Sequence, residues 1–144
     1  MNFKKIILLF SFLISASFYA QKPNELITKL KNHTQQDTTR CFLLNEVIEA
    51  ENDQNIWIKH NQELKKIAQD KSISETNPTF KKTYTKYLSI AYNNEGAFHI
   101  YAEEFEKAIL LYKKSFNITT KIKYNYGSAL ALQNIGTAFD YLGK

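Results

Sequence analysis

Hydrophobic residues recur at intervals of three and four along most of this chain, with polar residues between them. Such spacing puts apolar side chains on one face of an α-helix and polar side chains on the other. It predicts four helical segments, at residues 25–31, 40–51, 56–70 and from residue 80 onward. We expect Asp37 or Thr38 to cap the second segment, and Asn77-Pro78 to form the turn before the fourth. The pattern therefore predicts an all-α fold.

An internal repeat adds detail to the last of these segments. Residues 90–101 align without gaps with residues 130–141, at an offset of 40 positions, and Ala, Asn, Gly and Tyr each coincide once. Between the two copies, apolar residues from 103 to 121 follow the rhythm of an amphipathic helix. A repeat of this length is typical of helical hairpins that stack side by side.

The residues of the repeat resemble the tetratricopeptide repeat (TPR) family. The slots that this family fills with large and small residues are occupied, in chain order, by Tyr92, Gly96, His99, Phe105, Ala108, Tyr112, Ser115, Leu132, Gly136 and Phe139. Glu95 and His99 depart from the pattern, since an apolar residue and an aromatic residue are usual there. Because the period exceeds the common TPR period of about 34 residues, the chain is similar to the longer TPR subclass of bacterial regulators and motor light chains.

The resemblance implies a helical-hairpin repeat, a TPR-like α-solenoid that is incomplete at its C-terminus. We expect Gly96 and Gly136 to let the second helix of each hairpin approach closely. Ala108 is the small residue that would face them, while Phe105 and Tyr112 would fill the space between helices.

The first 20 residues have the build of a secretory signal peptide. A basic start with Lys4 and Lys5 leads into an apolar run over residues 6–14 and then into small residues. Cleavage before Gln21 and cleavage after Ser17 both fit this pattern. The apolar run is too short to span a bilayer. The sequence therefore predicts export, to the periplasm or the cell envelope.

These segments define the domain organisation that we expect. The chain divides into a signal peptide (1–20), a linker with a short helix (21–39), a degenerate capping hairpin (40–79) and TPR-like repeats, one full and one truncated (80–144). An atypical first unit is common in repeat arrays because its outer face meets water.

Composition and charge narrow the class of protein. Hydrophobic residues make up 44% of the chain and aromatic residues 14%, which excludes a disordered chain. Four Gly and two Pro are too few for the many turns of a β-sandwich. Two charges of the net +5 are Lys4 and Lys5 of the predicted signal peptide, and the later lysine pairs, such as Lys81-Lys82, alternate with glutamates. We interpret them as a solvated surface rather than a nucleic-acid site.

No constellation of residues points to catalysis. His33, His60 and His99 are far apart and lack a metal-ligand spacing, so we interpret them as packed or boundary histidines and expect no metal. Cys41 has no thiol partner, and we favour a packed small side chain over a nucleophile, although a helix N-terminus lowers a thiol pKa. The four glycines form no phosphate-binding loop. We therefore predict no enzyme activity and no cofactor.

The TPR resemblance implies a binding surface instead. In that family the first helix of each repeat lines a concave face that holds a peptide. The matching residues here are Asn93, Asn94, Ala97, Tyr101, Gln133, Asn134, Thr137 and Tyr141. Their amides offer hydrogen bonds, and their tyrosines offer rigid surface. Two alternatives stay open: Asn94 and Asn134 bond to the backbone of the adjacent helix, and Tyr101 and Tyr141 belong to the core.

Together these features predict an exported module that binds a protein or peptide. The alternative is the N-terminal sensory ectodomain of a longer membrane signalling protein, a histidine kinase, cyclase or DNA-binding regulator, because the sequence stops at Lys144 within a repeat. Membrane contact would then come only from the export signal or from a missing C-terminal span. The unpartnered face of Ile135, Phe139 and Leu142 also predicts self-association through the truncated last repeat.

Overall fold

The fold is given by a computed structural model that describes residues 24–143. Within that range every element of regular secondary structure is an α-helix, so the predicted all-α class is confirmed there. The signal peptide predicted for residues 1–20, with both of its candidate cleavage positions, lies outside the described residues. In the part of the chain that the structure describes, no helix is both long and apolar enough to cross a membrane.

Six helices follow one another along the described chain. They are α1 (24–32), α2 (Thr38–Ala50), α3 (Gln54–Ser74), α4 (Pro78–Tyr101), α5 (Phe105–Lys121) and α6 (Asn125–Tyr141). From α2 onward each helix packs against the next, and α4 also touches both α2 and α6. The even-numbered helices α2, α4 and α6 therefore lie side by side, with α4 in the middle.

Short polar side chains define where three of the helices begin. Asp37, Asp53 and Asn77 precede α2, α3 and α4, and each accepts a hydrogen bond of 2.8 or 2.9 Å from a backbone N–H of the first turn. Such a bond satisfies a donor that the helix itself leaves unpaired. The cap of α2 predicted at Asp37 or Thr38 is thus confirmed at Asp37.

Helix α3 is about one turn longer than the sequence predicts, because it ends at Ser74 rather than near Asp70. The Ser74 hydroxyl donates to the Asp70 carbonyl at 2.9 Å. The N–H of Glu75 donates to the Lys71 carbonyl at 2.9 Å. The polar residues that we took as the end of the helix therefore satisfy its last carbonyl groups instead.

Three turns at regular intervals share a left-handed backbone conformation. Glu103, Lys123 and Gly143 have φ values of 58°, 56° and 68° and lie 20 positions apart. The first of these turns joins α4 to α5, and the second joins α5 to α6. Because Glu103 leaves helical geometry, α5 begins at Phe105, two residues later than the apolar pattern suggests.

Two hydrophobic clusters form the core of the described chain. The larger cluster contains residues from each of the helices α1, α2, α3 and α4. The fully buried Leu44 and Leu64 lie at its centre, with Trp57 and the α1 residue Leu30 against them. The smaller cluster lies between α5 and α6 and includes Tyr112, which also reaches α4. Core packing thus runs along the stack of helices rather than around one centre.

The two repeat glycines lie in different surroundings. A Cβ atom built on Gly96 would lie 2.6 Å from Cε1 of Tyr112, so the missing side chain allows the close approach of α5 that we expected. At Gly136 a built Cβ would have no neighbour within 4 Å among the described residues apart from the adjacent residues and the backbone of α6 itself. The close approach expected there is not found among the described residues. Ile135, Phe139 and Leu142, which we expected to form an unpartnered face, are instead partly buried against the smaller cluster. Self-association through the truncated last repeat stays a prediction.

Candidate functional site

The eight residues predicted to bind a partner lie on α4 and α6, which are adjacent helices. Asn93, Asn94, Ala97 and Tyr101 belong to α4, and Gln133, Asn134, Thr137 and Tyr141 belong to α6. All of them except Gln133, seven in total, line cavities along α4. Gln133 and Thr137 are exposed, whereas the three asparagines are partly buried. Whether these residues bind a partner stays a prediction.

A direct hydrogen bond joins the two copies of the repeat. Asn134 on α6 donates through Nδ2 to Oδ1 of Asn93 on α4, at 2.9 Å. The alternative that Asn134 bonds to an adjacent helix thus holds, but its partner is a side chain rather than the backbone. Each amide keeps further donor or acceptor capacity beyond this bond.

A buried asparagine on α3 holds the neighbouring α4 amide. Asn94 donates through Nδ2 to Oδ1 of Asn61 at 3.1 Å, and Asn61 in turn donates to the Ala91 carbonyl at 3.0 Å. Asn61 is 1% exposed, and sequence reasoning missed it. The available signal was a polar residue on the apolar face of α3, between Trp57 and Leu64.

The two repeat tyrosines are solvent-exposed, and the interpretation of them as core residues was wrong. Tyr101 is 65% exposed and Tyr141 is 60% exposed. Tyr141 stacks on Phe105, with ring centroids 5.5 Å apart and ring planes 23° apart. This stack fixes one of the two tyrosines at the edge of α6 while leaving most of its ring accessible.

Four neighbouring cavities follow α4, and we call them together the α4 groove. From the start of α4 to its end, their volumes are about 260, 140, 220 and 250 Å³. Neighbouring cavities share lining residues: Tyr124 joins the first to the second, Asn94 the second to the third, and Tyr101 the third to the fourth. Helix α2 contributes Glu49 to the middle of the groove. The groove therefore runs the length of α4.

Three lysines line the first cavity of the groove. We interpreted Lys82 as part of a solvated surface, and the sequence did not single out the other two. Lys82, Lys86 and Lys123 line it, together with the hydroxyl residues Thr79 and Thr83. The available signal was the helical spacing itself. Counting backward from Asn93 in steps of three and four reaches residues 90, 86, 83 and 79, which therefore lie on the same face of the helix as Asn93.

A tyrosine ring connects this lysine end to the amide-lined middle of the groove. The Nζ atom of Lys86 lies 4.9 Å from the centroid of the Tyr124 ring, within range of a cation–π interaction. Burial, with smaller contributions from Tyr126 and Glu49, raises the pKa of Tyr124 above its usual value. The phenol therefore stays protonated at neutral pH and offers a hydrogen-bond donor to the groove.

A cavity larger than any of these four lies elsewhere, between α3 and α4. Its volume is about 540 Å³, and its lining includes Lys65, Glu95, Asp70 and His99. Lys65 and Glu95 form an ion pair at 2.6 Å, so two of these charges satisfy each other. This cavity includes none of the residues that we predicted to bind a partner.

The residues considered for catalysis lie apart from the groove. His33 bonds to Asp37, and His99 bonds to Glu104. Cys41 is fully buried, and burial together with the nearby Asp37 raises its thiol pKa to about 12, opposite to the effect of a helix N-terminus alone. No group of three or more His, Cys, Asp or Glu side chains within residues 24–143 is arranged to hold a metal ion.

No family model, characterised protein or solved structure matches this chain.

Proposed function

We propose that this protein is an exported TPR-like module that binds a peptide or another protein along the α4 groove, with no catalysis of its own. The observation that carries the proposal is the succession of four cavities, each sharing a lining residue with the next, from the start of α4 to its end. Seven of the eight residues that the TPR resemblance singles out line it. A long shallow groove suits an extended polypeptide better than a compact small molecule, which needs an enclosing pocket.

The packing of α4, α5 and α6 supports a TPR-like interpretation of the repeat. Gly96 of α4 admits the Tyr112 ring of α5, and these are two of the slots on which the resemblance rests. The left-handed turns at Glu103 and Lys123 recur at half the 40-residue period. Contact of α4 with both α2 and α6 agrees with stacked hairpins.

The groove offers a polypeptide two kinds of interaction. Asn93, Asn94 and Asn134 provide amide groups along its floor, which suit the N–H and C=O groups of an extended backbone. Tyr101 and Tyr141 provide rigid aromatic area at low cost in side-chain entropy. Amides would hold the backbone of the partner, and the tyrosines would hold its apolar side chains.

Selection of peptides from a random decapeptide library tests the proposal. We expect enriched peptides whose binding is weakened about tenfold or more by Tyr101→Ala and by Asn134→Ala, since each removes a central contact. Leu110→Ala is the matched control, because Leu110 is exposed on α5 and lines none of the four cavities. No enriched peptide, or peptides insensitive to both groove variants, would contradict the proposal.

Export is tested separately. The proposal that the N-terminal signal is removed during secretion requires a mature amino terminus at Gln21, after cleavage behind Ala20, or at Phe18, after cleavage behind Ser17. Mass spectrometry of protein recovered from the exporting cell's envelope distinguishes the two. An intact Met1 on that material would reject export through a cleaved signal.

A further inference from the structure

The two ends of the α4 groove differ in charge. At the start of α4, three lysines surround one cavity of about 260 Å³, and its other lining residues are Thr79, Thr83, Ile122 and Tyr124. No carboxylate is among the residues that line it. At the end of α4, the cavity between α4 and α6 is lined by tyrosines, an asparagine and small or apolar residues, without a charged side chain.

The fold holds the three lysines close together. Lys82 and Lys86 are one helical turn apart on the same face of α4. Lys86 is held above the Tyr124 ring at 4.9 Å. Lys123 comes from a different element, the turn between α5 and α6, where its backbone is left-handed. Like charges that are held together in this way repel one another, and an anion between them relieves that repulsion.

The ion pairs of the described chain do not neutralise these lysines. Those pairs join Lys29 to Glu25, Arg40 to Glu63, Lys65 to Glu95 and Lys107 to Glu104, together with two histidine–carboxylate pairs. The nearest carboxylate along the groove is Glu49, which lines the next two cavities but not the first. Its Oε1 already accepts a hydrogen bond from Asn45 at 2.8 Å. Positive charge is thus confined to one end of the groove.

The length of the groove sets the length of its occupant. Helix α4 has 24 residues, which corresponds to about 36 Å at 1.5 Å per residue. An extended polypeptide advances about 3.3 Å per residue, so about ten or eleven residues would follow the groove from end to end.

We propose that the occupant is an extended segment of about ten residues, with acidic residues at the end held by Lys82, Lys86 and Lys123. Its opposite end carries aromatic or large apolar residues, which pack between Tyr101 and Tyr141. Glu49 disfavours acidic residues in the middle. This inference rests on the proposed function and adds to it the chemistry and polarity of the partner.

Synthetic peptides test this polarity directly. The probes are a fluorescent decapeptide with three acidic residues at its amino end and three apolar residues at its carboxyl end, its reversed-order isomer, and the same two peptides with Gln and Asn in place of Glu and Asp. Fluorescence anisotropy measures their binding to the protein. We expect one of the two acidic isomers to bind about tenfold more tightly than its neutral counterpart, with an affinity that falls as salt rises.

Charge-removing variants identify the site. In the Lys82→Gln/Lys86→Gln double variant, we expect the acidic peptide to bind about tenfold more weakly and the neutral peptide to bind as before. The double variant Lys59→Gln/Lys66→Gln is the matched control, because it removes the same charge from exposed positions of α3 outside the groove. Far-ultraviolet circular dichroism establishes that all variants fold, so that a loss of binding reflects the lost charges.

Each other outcome has a defined meaning. If neutral and acidic peptides bind equally and Tyr101→Ala weakens both, the charge preference is wrong while the proposed peptide-binding function stands. If no peptide binds in a manner sensitive to groove variants, both proposals are wrong. If phosphatidylserine vesicles bind through Lys82 and Lys86 while no acidic peptide does, the occupant is an anionic membrane surface, and the peptide proposal is overturned.

Discussion

His33 and Asp37 are joined by a hydrogen bond of 2.7 Å between Nε2 and Oδ1, at the point where α2 begins. The same carboxylate oxygen accepts the N–H of Arg40 at 2.9 Å. The Arg40 side chain in turn bonds to the Leu30 carbonyl at 3.1 Å and pairs with Glu63 at 2.6 Å. The Asp37 carboxylate and the Arg40 side chain together join α1, α2 and α3 at this junction.

Replacement of Asp37 is expected to reduce stability in a manner that depends on pH. Partial burial raises the pKa of Asp37, but hydrogen bonds from Arg40 and His33 outweigh it and lower the pKa below its usual 3.8. Asp37→Ala removes the cap of α2, and we expect it to lower the free energy of unfolding by about 0.5–2 kcal/mol at pH 7.

The pH dependence follows from the lowered pKa. The ionised carboxylate stabilises the folded state above the unfolded pKa of 3.8, and this contribution is lost as the pH falls through the lower folded value. Asp37→Asn, which keeps the capping oxygen but cannot ionise, is the matched control. Urea unfolding at several pH values measures the difference in free energy of unfolding between the unsubstituted protein and Asp37→Asn. A difference that does not become smaller in acid would contradict the prediction.

Most helices could be predicted because apolar spacing reflects which face each helix buries. The positions where a helix boundary was wrong have physical causes that apolar spacing does not record. Ser74 ends α3 later than expected because a hydroxyl can either interrupt a helix or bond to its last carbonyls. The left-handed turns at Glu103 and Lys123 carry none of the usual signal for this conformation, which among the three turns only Gly143 supplies.

The two repeat glycines should respond in opposite directions to the same substitution. Gly96→Ala places a methyl group against the buried Tyr112 ring, and we expect a loss of about 1–3 kcal/mol in the free energy of unfolding. Gly136→Ala meets no neighbour within 4 Å and replaces glycine inside an exposed part of α6, so we expect a gain of about 0.5–1 kcal/mol.

Urea or thermal unfolding of the two variants provides the measurement, and each variant is the control for the other. Equal changes at both positions would show that the contact between α4 and α5 does not depend on the missing side chain at Gly96. A loss of stability in Gly136→Ala would indicate that position 136 is covered in solution. Unfolding is then repeated over a range of protein concentrations, because a stability loss that depends on concentration would show that a second copy of the chain covers this position.

Alkaline pH should destabilise the protein through Cys41. Burial raises the pKa of this thiol to about 12 in the folded state, against 9.0 as its ordinary value. A raised pKa gives stability that is fully present below the unfolded value and is lost as the pH rises toward the folded value. Between 9.0 and about 12, we expect the thiol to lower the free energy of unfolding by about 1.4 kcal/mol per pH unit.

The control for this prediction is Cys41→Ala, which lacks the thiol and keeps Tyr112, whose pKa burial also raises to about 12. The difference in slope between the two proteins isolates the contribution of Cys41. We also expect a thiol reagent to modify Cys41 only under unfolding conditions, because the side chain has no exposed area. Rapid labelling of the folded protein, or equal alkaline slopes, would contradict the assignment of Cys41 to the core.

Only those residues of the candidate site that lie within the two aligned copies of the repeat could be predicted from the sequence. Alignment of the two copies placed Tyr101 and Asn134 on neighbouring helices, since equivalent slots face the same side. Lys123 could not be placed beside Lys86 because the two meet only through the packing of the turn after α5 against the start of α4. Glu49 likewise reaches the groove from α2 through contacts that no local pattern encodes.

Glycine at position 103 should stabilise the protein. Glu103 has φ of 58°, a left-handed conformation that costs a residue with a side chain about 1–2 kcal/mol. Glycine removes this cost but increases the entropy of the unfolded chain, so we expect Glu103→Gly to raise the free energy of unfolding by about 0.5–1 kcal/mol. Glu103→Ala removes the same carboxylate while retaining the strain, and its stability should stay below that of Glu103→Gly.

Position 103 is preferable to the equivalent Lys123 because it lines none of the four groove cavities, so that peptide binding should be unchanged. If unfolding in urea gives equal stabilities for the glycine and alanine variants, the turn between α4 and α5 does not hold a left-handed residue in solution.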